Sequence, residues 1–276
     1  MMEPYPVNVS RNTLSLLKNP IALLAISAAA LSCCAQTQTP QTNLPNAPQP
    51  QPEVTLKDFP MNVVKDQGAI WTSPARIRLK DLDWLVPLAA ATGAAIATDR
   101  DAMVHVVPHD AQLNQRSLDV SNVLTGGMVA APVGLLGWGA LKDNAHARET
   151  GLLGAEAMVD AVAVEQGMKL IFWRERPGVD NSNGKFFQSS AGIDSSFPSS
   201  HSVITWASAA VLAGEYPSTL NRFLIYSAAT GVSVTRVLGQ EHFPSDVLVG
   251  SAAGWLVGHY VFRKRHKELP LPKDDN

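Results

Sequence analysis

The sequence predicts an all-α fold, a helical bundle of about six core helices. Three observations carry this. Six apolar segments of helical length alternate with polar turns along the chain. Alanine and leucine dominate those segments, while the strict polar–apolar alternation of strands is scarce. The 276 residues, 46% of them hydrophobic, are enough for one sizeable core. A formal net charge of −2 excludes the basic excess of a typical nucleic-acid binder.

In chain order, residues 1–35 have the layout of a secretory signal. Arg11 and Lys18 precede the apolar stretch PIALLAISAAALS, and a small residue, Ala35, offers a cleavage point. An uncleaved N-terminal anchor is the alternative. Cys33 and Cys34 are the chain's two cysteines, and neither follows a good lipobox; a cut after Ala35 leaves a mature protein without thiols. Residues 36–75 read as a linker and lead-in. Their first part, QTQTPQTNLPNAPQPQP, is too rich in Pro and Gln to bury a core. The folded domain is expected over residues 76–265, followed by a charged tail over 266–276.

The six helical segments are 84–97, 121–141, 150–173, 202–214, 222–238 and 244–262. A bilayer span needs roughly 20 apolar residues, and only 121–141 clearly has them. Segment 84–97 is short and runs into Asp99-Arg100-Asp101, and 150–173 contains Glu156, Asp160 and Glu165, costly groups in lipid. Six spans after an export signal also place the loops following the third and fifth helices in the cytoplasm. The basic run Arg263-Lys264-Arg265 argues the other way, as such runs stay inside. The reading is an exported, periplasmic or envelope protein, soluble or peripheral; the alternative is an integral membrane protein.

Three stretches carry chemistry. In KLIFWRERP, Lys169 and Arg176 stand seven apart, two turns of a helix, so both are expected on one face before Pro177 stops it. Cations at a helix C-terminus fit equally a purely structural complement to the dipole. In FPSSHS, Ser199 or Ser200 suits an N-cap, and His201 on the first turn stands beside free N–H groups that seat anions well. In TRVLGQEHFPSD, Arg236 closes one helix, Pro244 opens another, and Asp246 lies one turn beyond His242. A carboxylate there fits either a helix cap or a group that fixes the histidine's tautomer.

Taken together, Lys-x6-Arg-Pro, Pro-Ser-x-His and Arg-x5-His-x3-Asp in this order closely resemble the signature of the type 2 phosphatidic acid phosphatase family. Its superfamily also holds the class A non-specific acid phosphatases and the vanadium haloperoxidases. Two positions depart from the pattern: Ser200 stands where glycine is usual, and Thr235 stands where serine usually precedes the arginine.

The resemblance implies an active site at helix ends and hydrolysis of a phosphate ester through a phosphohistidine. His242 is then the nucleophile, Asp246 orients it, and His201 serves as general acid and base. Lys169, Arg176, Ser199, Ser200 and Arg236 bind the phosphate. The partner implied is a phosphate-containing substrate: a lipid phosphate, an isoprenoid diphosphate or a soluble monoester. Membrane association suits the first two. No cofactor is expected, and no metal, since three cations oppose a divalent ion. Two alternatives are a vanadate-dependent haloperoxidase and a non-catalytic anion-binding envelope protein.

Overall fold

The computed structural model describes residues 55–188 and 194–266. The expected signal segment, both cysteines, the Pro/Gln-rich stretch to residue 52 and the tail from 267 lie outside them. Seven α-helices follow one another, and no strand occurs among the described residues: α1 (Phe59–Trp71), α2 (Leu82–Asp101), α3 (Ala111–Leu141), α4 (Ala145–Phe172), α5 (Ser200–Glu215), α6 (Thr219–Leu238) and α7 (Pro244–Arg265). The all-α reading holds, and each of the six expected segments lies largely within one of α2–α7.

Local chemistry sets the helix starts. Asp110, Asn144 and Ser218 each accept a hydrogen bond from the backbone N–H three residues on, at the mouths of α3, α4 and α6. Pro244 opens α7, and Asp246 reaches back to accept from the Phe243 N–H at 2.8 Å.

The core lies among α4, α5 and α7, where Leu153, Ala157, Ala161 and Val164 meet Val203, Ala207, Val211, Val257 and Val261. Small residues bring α5 and α7 unusually close. A Cβ at Gly254 would lie 2.2 Å from the Val203 carbonyl oxygen, and one at Gly258 2.3 Å from that of Ala207. Only glycine permits this backbone approach. Its result reaches the helix mouths, where the Ser199 N–H donates to the Asp246 carbonyl oxygen at 3.2 Å. The second and third motifs are thereby clamped together.

α1 lies within the stretch read as lead-in, and polar contacts attach it. Asn62 donates to Glu156 at 3.3 Å and Gln67 to Asp160 at 2.8 Å. Asp66, fully buried, pairs with Lys264 at 2.7 Å and Arg265 at 2.6 Å. The acids of α4 therefore point into the bundle, where Arg265 also meets Glu156 at 2.7 Å. Their expected cost in lipid does not apply to the outer face of α4.

Among the described residues α3 alone is long and apolar enough to cross a membrane, and only 17% of its most apolar stretch is buried. Val133, Trp138 and Leu141 are exposed along it, as are Trp84 and Val86 on α2 and Leu220 and Phe223 on α6.

Candidate active site

The predicted residues converge at one end of the bundle, where α4 and α6 finish and α5 and α7 begin. His201, on the first turn of α5, registers the convergence. Burial, then the charge of Arg236, the His242 ring, Arg176 and Lys169, push its pKa down to about 4. Three cations and two imidazoles from separate chain segments thus act on one another.

Lys169 and Arg176 do not share a helix face. α4 ends at Phe172, and Trp173 turns the chain through the left-handed region with φ 38°, its N–H capping on the Lys169 carbonyl. The break comes four residues before Pro177 because Arg174 is drawn inward. Its guanidinium donates to Asp99 at 2.7 Å, to Asp246 and Ser245 at 2.6 Å each, and to the Gly184 carbonyl at 3.1 Å. The rings of Phe186 and Phe243 lie 4.6 and 4.1 Å from it. Sequence reasoning missed Arg174, whose partners Asp99 and Asp246 lie more than 70 residues away.

His242 is buried, and its Nδ1 lies 2.8 Å from the Ser196 carbonyl oxygen. A carbonyl only accepts, so Nδ1 carries the proton and Nε2 keeps its lone pair. Asp246 stands 3.7 Å from Nδ1, an ion-pair distance rather than a hydrogen bond. Its carboxylate is held by Arg174, the Phe243 N–H and the Ser196 hydroxyl. Ser196 is thus a second missed residue, linking Asp246 to the histidine. Burial lowers the His242 pKa, and Asp246 opposes that shift.

Ser199 is the N-cap of α5 but makes no side-chain cap bond; its Oγ accepts from Ser202 at 3.3 Å. The first-turn N–H groups of α5 have no intrahelical acceptor, which suits an anion. Ser200 points its hydroxyl away from this seat and donates to buried Glu165 at 2.6 Å. The same Glu165 oxygen lies 3.1 Å from the Lys169 ammonium. The hydroxyl added at the usual glycine position therefore tethers a carboxylate behind the lysine. The Thr235 hydroxyl is equally withdrawn, donating to the carbonyls of Gly231 and Val232 in its own helix.

Arg176 pairs with Glu241 at 2.6 Å and Asp194 at 2.9 Å. Arg236 is buried, meets Glu241 at 3.5 Å, and its Nε has no hydrogen-bond partner. A phosphate oxygen would satisfy that donor. Carboxylates stand on all three cations: Glu165 on Lys169, Asp194 on Arg176, and Glu241 on both Arg176 and Arg236. Two His/carboxylate groups with metal-ligand spacing occur among the described residues: Asp66/Glu156/Asp160 and Glu149/Glu215/His266. None of their members belongs to the predicted site, and the first already holds Lys264 and Arg265.

Comparison with known proteins bears on this end of the molecule. Residues 150–270 match the family model described as the PAP2 superfamily, and all eight predicted site residues fall inside that stretch. A solved structure, the first transmembrane PAP2 type phosphatidylglycerolphosphate phosphatase from Bacillus subtilis, is similar at a TM-score of 0.42 and 18% identity, over 78% of this chain and 98% of that one. No curated protein matches the chain.

Proposed function

From the match of residues 150–270 to the PAP2 superfamily model, we propose that the protein is a metal-independent phosphatase acting through a phosphohistidine on His242. The observation that carries the reading is the His242 Nδ1 contact with the Ser196 carbonyl, which leaves Nε2 as a nucleophile beside His201 and the cation cluster. Lys169, Arg176 and Arg236 take the non-bridging oxygens, together with the first-turn N–H groups of Ser200 and His201.

Nε2 attacks phosphorus, the ester P–O bond breaks, and the leaving alkoxide takes a proton from His201. Burial, and then the neighbouring cations, otherwise keep His201 neutral; the phosphate's negative charge offsets the cations and makes the proton available. Water then attacks phosphorus and gives a proton to His201; the P–N bond breaks, and phosphate leaves with His242 neutral again. Asp246, fixed by Arg174, offsets the positive charge on the ring during the intermediate.

The exposed apolar residues of α2, α3 and α6 support an enzyme held at a membrane face, on the exported side if residues 1–35 act as a signal, and hence a lipid phosphate or isoprenoid diphosphate over a soluble ester. Residues 76–265 contain all of this machinery. Phosphate release from lipid and soluble monoesters in excess chelator, by wild type and His242→Ala, is the test. Chelator-resistant release by wild type alone is expected. Equal release by both proteins removes the mechanism, and activity that returns only with zinc or magnesium removes metal independence.

A further inference from the structure

Glu241, immediately before His242, has no part in the mechanism above, yet it lies on two of the three phosphate-binding cations. One of its oxygens, Oε2, takes the hydrogen bond from Arg176 Nη1 at 2.6 Å and stands 3.5 Å from Arg236 Nη2. Its backbone is fixed on both sides of that contact, the N–H donating to the Arg236 carbonyl at 3.2 Å and the carbonyl accepting from Arg176 at 3.3 Å. The carboxylate itself is about one-third exposed, 36%, against 9% for the Arg236 side chain. The side chain thus has a way out to water that buried Arg236 lacks.

We propose that Glu241 is an internal competitor for the phosphate seat, bridging Arg176 and Arg236 until a phosphate oxygen takes its place. The proposal rests on the phosphate-binding reading of those arginines. Two features decide between competition and simple support. Support favours paired, short, parallel bonds to each guanidinium. Glu241 gives Arg236 only one contact, at 3.5 Å, and leaves its buried Nε without a partner. A phosphate carries more charge and more oxygens, and so can use Arg176 Nη1, Arg236 Nη2 and Arg236 Nε together. Arg176 keeps its bonds to Asp194, 2.9 Å to the side chain and 3.2 Å to the carbonyl, through the exchange. Glu241 thereby keeps two like charges from repelling before substrate arrives and weakens the hold on inorganic phosphate after hydrolysis.

Competition and support predict opposite signs. Inorganic phosphate is titrated calorimetrically into the full chain as wild type, Glu241→Gln and Glu241→Ala, with thermal melts to confirm folding. Loss of one short charge-assisted contact predicts phosphate binding tightened about five- to tenfold in both variants. KM should fall with it, and kcat should fall as product release slows. Unchanged or weaker phosphate binding in both folded variants overturns the proposal, since a supporting carboxylate gives that result. The two readings fail separately. If no ester is hydrolysed but both variants bind phosphate more tightly, the competitor stands and the phosphatase reading falls. If ester is hydrolysed and phosphate binding does not tighten, the competitor falls alone.

Discussion

Two buried arginines flank His242, and they are treated in opposite ways. Behind the ring, Arg174 is closely held: two carboxylates, a hydroxyl and a carbonyl take four of its five N–H donors, and two aromatic rings lie against it. In front, Arg236 has one loose ion pair and a buried Nε with no partner. Burying an under-satisfied guanidinium costs stability. The back wall carries no such cost and has no capacity for a ligand. The difference separates a residue that holds the site together from one that waits for an anion.

Exchanging each arginine for methionine breaks the comparison most directly. Arg174→Met strands Asp99 and Asp246 as buried, unpaired charges and should destabilise the fold by about 3–5 kcal/mol, read by denaturant unfolding. Arg236→Met should change stability by no more than about 1 kcal/mol while weakening inorganic phosphate binding roughly 10- to 100-fold. A comparable loss of stability from both substitutions would erase the distinction.

A smaller effect follows from the burial of His201 among the front cations. Burial, and then the charges around it, push the His201 pKa down from its ordinary 6.5 to about 4. Its unfolded form binds the proton first, so this group makes stability fall as pH drops from 6.5 towards 4. His201→Gln should flatten that decline in pH-dependent melts. Phosphate binding should raise the pKa and draw up to one proton from solution near pH 5–6. Calorimetry in buffers of different ionisation enthalpy measures that uptake, and it should vanish in His201→Gln. Uptake that persists in the variant would assign the proton elsewhere.

The smallest change concerns Ser200. Because its hydroxyl points at Glu165 and not at the seat, Ser200→Gly should alter kcat/KM by less than about threefold, at the scale of one hydrogen bond. A tenfold change would place Ser200 in substrate selection.

The parts legible in the sequence were those with local signals. Apolar segments of helical length located α2–α7, and the three motifs marked their mouths. α1 escaped because it is attached by Asn62, Asp66 and Gln67, whose partners lie on α4 and α7, and periodicity of apolar residues cannot register polar tethers. Arg174 escaped for a related reason: two cations in RERP look alike until Asp99, 75 residues away, selects one of them. The early end of α4 follows from that selection, so a two-turn spacing misplaced Arg176 relative to Lys169. Glu165 is closer to view, as it lies four residues before Lys169 on one helix face, yet in the sequence alone it reads as a cost in lipid rather than as a partner.

The central claim is that His242 carries the phosphoryl group. Rapid-quench labelling with a substrate whose terminal phosphate is labelled, stopped in base, tests it. An acid-labile, base-stable phosphoryl label on His242 during turnover, absent from His242→Ala, is the predicted result. Full hydrolytic turnover by wild type with no labelled histidine at any time point, or an identical label in His242→Ala, would contradict it.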